Sequence, residues 1–216
     1  RWGQKMGDAG AQDMILGALN CPFGTGHMGV TAENVAGECG ISREDQDAFA
    51  LESQTRAAKA IEAGYFKDQI VPVEVKVKRD TVAFDTDEHP KQTSAEALAG
   101  LRPAFKKDGT ITAANSSSIS DGAAALILMR ESEAKAKGLQ PLARVMGHTT
   151  HSQAPSEFTI APIGAMNSLL SKLDWTKDDV DLWEINEAFA MVTMLAIQEM
   201  KLDASKVNAH GGACAL

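Results

Sequence analysis

A layered α/β fold is predicted for this 216-residue chain on three observations. Gly122-Ala123-Ala124-Ala125-Leu126-Ile127-Leu128-Met129 is a continuous apolar run bounded by turn residues, the pattern of a strand buried on both faces. Val180-Asp181-Leu182-Trp183 reads as a short strand that feeds a nearly all-apolar helix over residues 188–197. Around these, helical patterns alternate with short apolar segments, as they do where helices cover a sheet.

Each element has its own signal. Residues 1–40 are Gly-rich, with short helical patterns near 12–19 and 31–38. Ser42-Arg43-Glu44-Asp45-Gln46 predicts a helix start, with a hydroxyl to cap free amides and acids against the positive end of the helix. Ala48, Leu51, Ala58 and Ile61 keep helical spacing and define the expected buried face, and Gly64 is the expected stop. Ile70, Val71, Val73, Val75 and Val77 alternate, and residues 81–84 return as a hairpin. Residues 85–121 are expected to be loop, with a short helix near 95–99. Beyond the run at 122–129 come a helix over 132–137 stopped by Gly138, a strand near 142–147 and a helix over 164–173. A strand over 180–185, the long helix to Met200 and a strand at Val207-Asn208-Ala209 complete the pattern.

Composition narrows the function classes. With 44% apolar residues the chain can bury a core, and only 5% are aromatic, so close helix packing is expected. A net charge of -8 and a pI near 5.1 argue against nucleic acid as a partner, since phosphate binding needs concentrated Lys and Arg. Lys76-Val77-Lys78-Arg79 is too short to change that and reads as a solvated strand edge. Cys21, Cys39 and Cys214 form neither a disulfide framework nor a zinc quartet, and His148-Thr149-Thr150-His151 has no third ligand, so no metal is expected. No apolar run would span a bilayer and no secretory leader is visible, so a cytoplasmic protein is expected, with the Asn115-Ser116-Ser117 sequon a decoy.

Glu184-Ile185-Asn186-Glu187-Ala188-Phe189 is the chemically informative segment. It places an amide and two carboxylates at the C-terminal end of a strand, where functional groups collect in α/β proteins. Burial of polar groups there without partners would be costly. Read alone, Asn186 is a helix N-cap.

Several motifs together resemble the thiolase family. They are His27-Met28-Gly29-Val30-Thr31-Ala32-Glu33-Asn34, Ser42-Arg43-Glu44-Asp45-Gln46-Asp47-Ala48-Phe49-Ala50 and Leu101-Arg102-Pro103-Ala104-Phe105. Thr110-Ile111-Thr112-Ala113-Ala114-Asn115 with Ser116-Ser117-Ser118, Asn186-Glu187-Ala188-Phe189 and Val207-Asn208-Ala209-His210-Gly211-Gly212 continue the series in order along the whole chain. The resemblance implies a layered α/β/α/β/α core, incomplete here, with an inserted α+β loop domain. It assigns residues 1–121 to the loop domain, 122–140 to the last strand of an N-terminal core half, and 141–216 to part of a C-terminal half.

It also implies acyl transfer. Thiolases join or split acyl-CoA thioesters through an acyl-cysteine, which needs a thiolate, an acid/base and oxyanion stabilisers. The family's nucleophilic Cys would precede residue 1, while its Gly-His-Pro histidine and Cys-x-Gly cysteine would follow Leu216. The expectation is therefore an internal piece, inactive alone. Residue 1 being Arg rather than Met agrees with that. Asn186 corresponds to the amide that holds the oxyanion-hole water. His27, Met28, Lys91, Ala104, Phe105, Ala113, Ser117, Phe158, Ala188 and Phe189 correspond to positions lining the acyl-CoA site. The coenzyme A thioester is a substrate, so no cofactor is implied, and a homodimer or homotetramer is. The His27-Met28 pair resembles the acetoacetyl-CoA branch. Three departures stand out: Lys91 matches only across a one-residue gap, Phe158-Thr159-Ile160-Ala161-Pro162 lacks the family's glycines, and Ser116-Ser117-Ser118 replaces a Gly/Ala-rich loop. Two other readings are a non-catalytic coenzyme A-binding or assembly module and a ketoacyl synthase. The latter class uses His where this chain has Asn186.

Overall fold

A computed structural model describes residues 3, 6–8 and 10–216. Arg1, Trp2, Gln4, Lys5 and Ala9, at the start of the expected loop domain, lie outside the described residues. A short helix α1 (Met14–Leu19) leads into a two-residue antiparallel pair, β1 (Asn20–Cys21) and β2 (Gly26–His27). Helices α2 (Met28–Glu38) and α3 (Arg43–Glu62) follow, then the hairpin β3 (Val73–Val77) and β4 (Asp80–Phe84). The short helices α4 (Ala95–Ala99) and α5 (Glu131–Ala136) precede a 3-10 turn (Pro155–Ile160), α6 (Ala161–Leu173) and α7 (Ala190–Met200). None of the helices among the described residues is long and apolar enough to cross a membrane.

Helix α7 is the centre of the packing. Residues 190–197 are almost wholly apolar and need neighbours on several sides, while Gln198 and Glu199 in the last turn are exposed. On one side Met191, Val192 and Leu195 meet Ala32, Val35 and Ile111 of the α2 region. On another, Ala196 and Met200 meet Ile163, Met166 and Leu170 of α6. On the third, Ala190 packs with Ala50 of α3 and with Cys214.

Helix α3 begins at the predicted cap, with Ser42 Oγ accepting from the Asp45 amide at 3.0 Å. Its buried face differs from the expected one. Gln46, Asp47, Ala50, Ser53, Ala57 and Ala60 are buried, whereas Ala48 and Ala58 are exposed and Ile61 is 44% exposed. Apolar spacing missed this face because its contacts are with α7 and a polar loop. Alanines allow close approach, and the three polar side chains find hydrogen-bond partners in Thr110, Asn115 and Glu187.

The strand expectations need correction. Residues 122–129 form no strand and are unpaired, with Leu126 at 86% and Ile127 at 87% exposure. The segment at 142–147 is likewise unpaired. Among the described residues no backbone runs beside either to complete a ladder, and a strand has no existence without one. The strands expected at 180–185 and 207–209 reduce to one parallel bridge between Trp183 and Val207, with Trp183 N–H donating to Lys206 O at 2.8 Å. Hairpin β3/β4, α4 and the helices stopped at Gly64 and Gly138 follow their sequence signals closely.

Candidate active site

The polar hexad does not cap α7. The N-cap is Phe189, which has no side-chain cap bond, so the reading of Asn186 as a helix cap is overturned. Residues 184–189 are pinned on both sides. Ile185 N–H donates to Asn208 Oδ1 and Ile185 O accepts from Asn208 Nδ2, both at 2.8 Å. Ala188 O accepts from Ser117 N–H at 3.1 Å, Phe189 bridges to Ser116, and Ala190 N–H donates to Asn115 O at 2.8 Å. The Glu187 carboxylate, 1% exposed, accepts from Ser53 Oγ and Asn208 Nδ2 at 2.8 Å and from Cys214 N–H at 2.9 Å.

Within the hexad the side chains of Asn186 and Glu184 make no hydrogen bond among the described residues, and both lie on the wall of a cavity of about 390 Å³. Phe158, Pro162, Met166, Ala188 and Val192 supply apolar walls and Glu184 supplies a carboxylate. Burial pushes the Glu184 pKa up, partly offset by the charge of His210, with the Glu187 charge adding to the rise. An amide suits an apolar wall beside such a group, because it can donate and accept without bringing a second charge. The arrangement can hold a polar oxygen, or a water serving one, against an apolar chamber.

A second set of expected site residues lies along one aromatic row. Phe189 sits in the core at 8% exposure and meets Phe105 edge-on, ring centroids 6.0 Å apart. Phe105 stacks on His27 at 4.9 Å and covers Gly29, where an added Cβ would overlap its ring. His27 caps α2, its Nδ1 accepting from Gly29 N–H at 3.0 Å, so its Nε2 is the free nitrogen. Met28 is the first residue of α2 and half-buried.

The sequence expectations thus divide. Asn186, Ala188 and Phe158 share the cavity, Ser117 is tied to Ala188, and Phe189, Phe105, His27 and Met28 form the adjoining row. Lys91, Ala104 and Ala113 are exposed and do not line the cavity; Lys91 N–H is engaged by Gln54 Oε1 and Ala104 N–H by Ile111 O. Thr159 and Pro162 belong to the segment noted for its missing glycines, but sequence reasoning did not single out Met166 or Val192, or the roles of Asn208 and Ser53 as anchors. An Asn within the apolar Val207-Asn208-Ala209 segment was the available signal.

The cysteines are placed as follows. Cys214 is buried in a turn, its thiol pushed well up by burial and by the Glu187 charge. Cys39 is exposed at the end of α2, and Cys21 ends strand β1, paired with Gly26 of β2. Among the described residues no three His, Cys, Asp or Glu side chains are grouped to hold a metal.

Comparison with known proteins decides the family. The N-terminal domain model of thiolase matches residues 1–132, and its C-terminal domain model matches residues 139–216. The chain belongs to the thiolase family. It is 49% identical to an acetyl-CoA acetyltransferase of Chromobacterium violaceum, over all of this chain and 56% of that protein. It is 47% identical to a beta-ketothiolase of Cupriavidus necator, over all of this chain and 55% of that protein. The fold superposes on the Bacillus anthracis acetyl-CoA acetyltransferase with a TM-score of 0.93 at 47% identity, over the whole chain and 55% of that structure. Human mitochondrial 3-ketoacyl-CoA thiolase gives 0.89 at 39%, again over 100% and 55%. The α/β thiolase-like fold expected from the sequence is therefore the fold observed, and the chain spans about half the length of these relatives.

Proposed function

We propose that this chain contributes the loop domain and part of the core of an acyl-CoA C-acetyltransferase. The reaction is condensation or thiolysis of short-chain 3-ketoacyl-CoA through an acyl-cysteine, in a cytoplasmic homodimer or homotetramer. The division is a loop domain over 1–121, the last strand of one core half over 122–140 and part of the other over 141–216. The observation that carries this reading is the uncommitted Asn186 amide on a cavity wall, between the anchored residues Ile185 and Glu187. Stabilising the thioester oxygen through a held water is a task for such a preorganised amide. His27, Met28, Phe105, Ser117, Phe158, Ala188 and Phe189 form the acyl and pantetheine side in this reading, with Lys91, Ala104 and Ala113 further out along the coenzyme. The homologues' names, acetyl-CoA acetyltransferase and beta-ketothiolase, support the same chemistry.

The nucleophile lies outside these 216 residues. Cys214 is a poor thiolate where it stands, since burial holds its thiol protonated. The test is acetoacetyl-CoA thiolysis by the polypeptide as its host makes it, against the 216 residues alone. Turnover is expected in the first and not in the second, and Asn186→Ala should lower kcat about 10²–10³-fold in the first. Coenzyme A binding in calorimetry with no turnover in either would establish the non-catalytic module instead.

A further inference from the structure

We propose that Asn208 and Glu187 form a positioning clasp that fixes the main chain on both sides of Asn186, so that the chemical step, rather than substrate affinity, depends on it. This rests on the reading of Asn186 given above. The parallel pairing of 183 with 207 stops at Asn208, which adopts φ 47, a left-handed conformation that Asn tolerates better than most residues. The chain then turns away through Gly211, at φ 85.

At that point the Asn208 side chain takes over from the main chain. Its Oδ1 accepts from Ile185 N–H and its Nδ2 donates to Ile185 O, each at 2.8 Å, as a further ladder residue would. The other Nδ2 hydrogen goes to Glu187 Oε1 at 2.8 Å. One side-chain amide therefore grips residues 185 and 187 and leaves 186 between them free.

Glu187 completes the clasp from the other side. Its Oε2 accepts from Ser53 Oγ at 2.8 Å and Cys214 N–H at 2.9 Å, and Ser53 Oγ in turn accepts from Gly212 N–H at 3.0 Å. Every group facing the carboxylate is a neutral donor. A carboxylate, which only accepts, matches that set; a glutamine would turn an NH2 onto another donor. Gly212 is required at the contact, since a Cβ there would overlap the Glu187 carboxylate. These bonds converge on the flanks of Asn186 and bypass its amide, the arrangement that holds a reactive group within the few tenths of an ångström that chemistry demands.

Asn208→Asp keeps the size but turns an oxygen onto Ile185 O and Glu187 Oε1. Adding Glu187→Gln restores a donor–acceptor pair of opposite polarity. In the polypeptide as its host makes it, Asn208→Asp is expected to lower kcat for acetoacetyl-CoA thiolysis at least about tenfold, with KM changed less than about twofold. Asn208→Asp/Glu187→Gln should recover a substantial part of that loss. Rates are referred to folded protein from thermal melts. An unchanged kcat per folded site, or a double variant slower than both singles, overturns the clasp.

Should Asn208→Asp fail to fold, Ser53→Ala removes a single donor to Glu187. It should reduce kcat severalfold at constant KM, and an unaffected kcat again overturns the proposal. Asn186→Ala is assayed alongside. If the wild type turns over and Asn186→Ala collapses it, the functional reading stands and the Asn208 result judges the clasp alone. If the wild type shows no turnover, that reading fails separately. Amide hydrogen exchange over residues 184–190 then decides: local acceleration in Asn208→Asp supports the clasp and unchanged exchange overturns it.

Discussion

Cys214 and Glu187 show how one buried charge sets the properties of its neighbours. Burial first, and then the Glu187 carboxylate, push the Cys214 thiol well above its ordinary value near 9. Its folded pKa is raised above the unfolded one, so its stability contribution is fully present below about pH 9 and is lost as pH rises beyond that. Unfolding free energy should therefore fall above about pH 9, with this one group adding at most about 1.4 kcal/mol per pH unit. Denaturant melts of wild type and Cys214→Ala compared across pH 8 to 10.5 check it; parallel curves would remove the effect. Thiol labelling gives a second reading. Cys39 should react with a maleimide in the native protein and Cys214 only after unfolding. Cys21 should react faster than Cys39, because the Thr25 hydroxyl, then the Phe23 amide, lower its pKa.

Among the elements, α2 illustrates what a polar residue inside a helix face can do. Glu33, 6% exposed, accepts from the amides of Thr110 and Ile111 at 2.9 Å and from Thr110 Oγ1 at 3.0 Å. It ties the 104–112 loop, and with it Phe105, to the helix that begins at His27. Glu33→Gln replaces an acceptor oxygen with a donor facing those amides and should cost about 1–3 kcal/mol. A chemical melt measures it, and a loss below about 0.5 kcal/mol would mean that the loop is held by packing alone. The ends of α3 were legible because Ser42 and Gly64 act through local backbone chemistry. Its buried face was not, because Gln46, Asp47 and Ser53 each bond a partner more than sixty residues away in sequence.

For the whole molecule, the largest consequence is the apolar segment at 122–129. Leu126, Ile127 and Leu128 are 80–87% exposed here, and a contiguous exposed apolar segment with unpaired backbone is a template for association. The 216-residue polypeptide by itself is expected to bind a hydrophobic dye and to self-associate in sedimentation, and Ile127→Lys should reduce both. A monodisperse monomer with one cooperative thermal transition would contradict this.

What the sequence determined by itself was whatever is written in local chemistry: helix starts and stops, the β3/β4 hairpin, the burial of most of α7, and the family through its ordered motifs. It also located the 184–189 hexad as the place where chemistry collects. Tertiary structure alone decided which of those polar residues is an anchor and which is free. Asn186 and Glu187 are adjacent and equally polar, yet Glu187 is consumed by donors from residues 53, 208 and 214, while the Asn186 amide is left to the cavity. Strand formation was decided the same way. Apolar runs can announce a strand, but its hydrogen bonds belong to a neighbour, and no local pattern states whether that neighbour is in place.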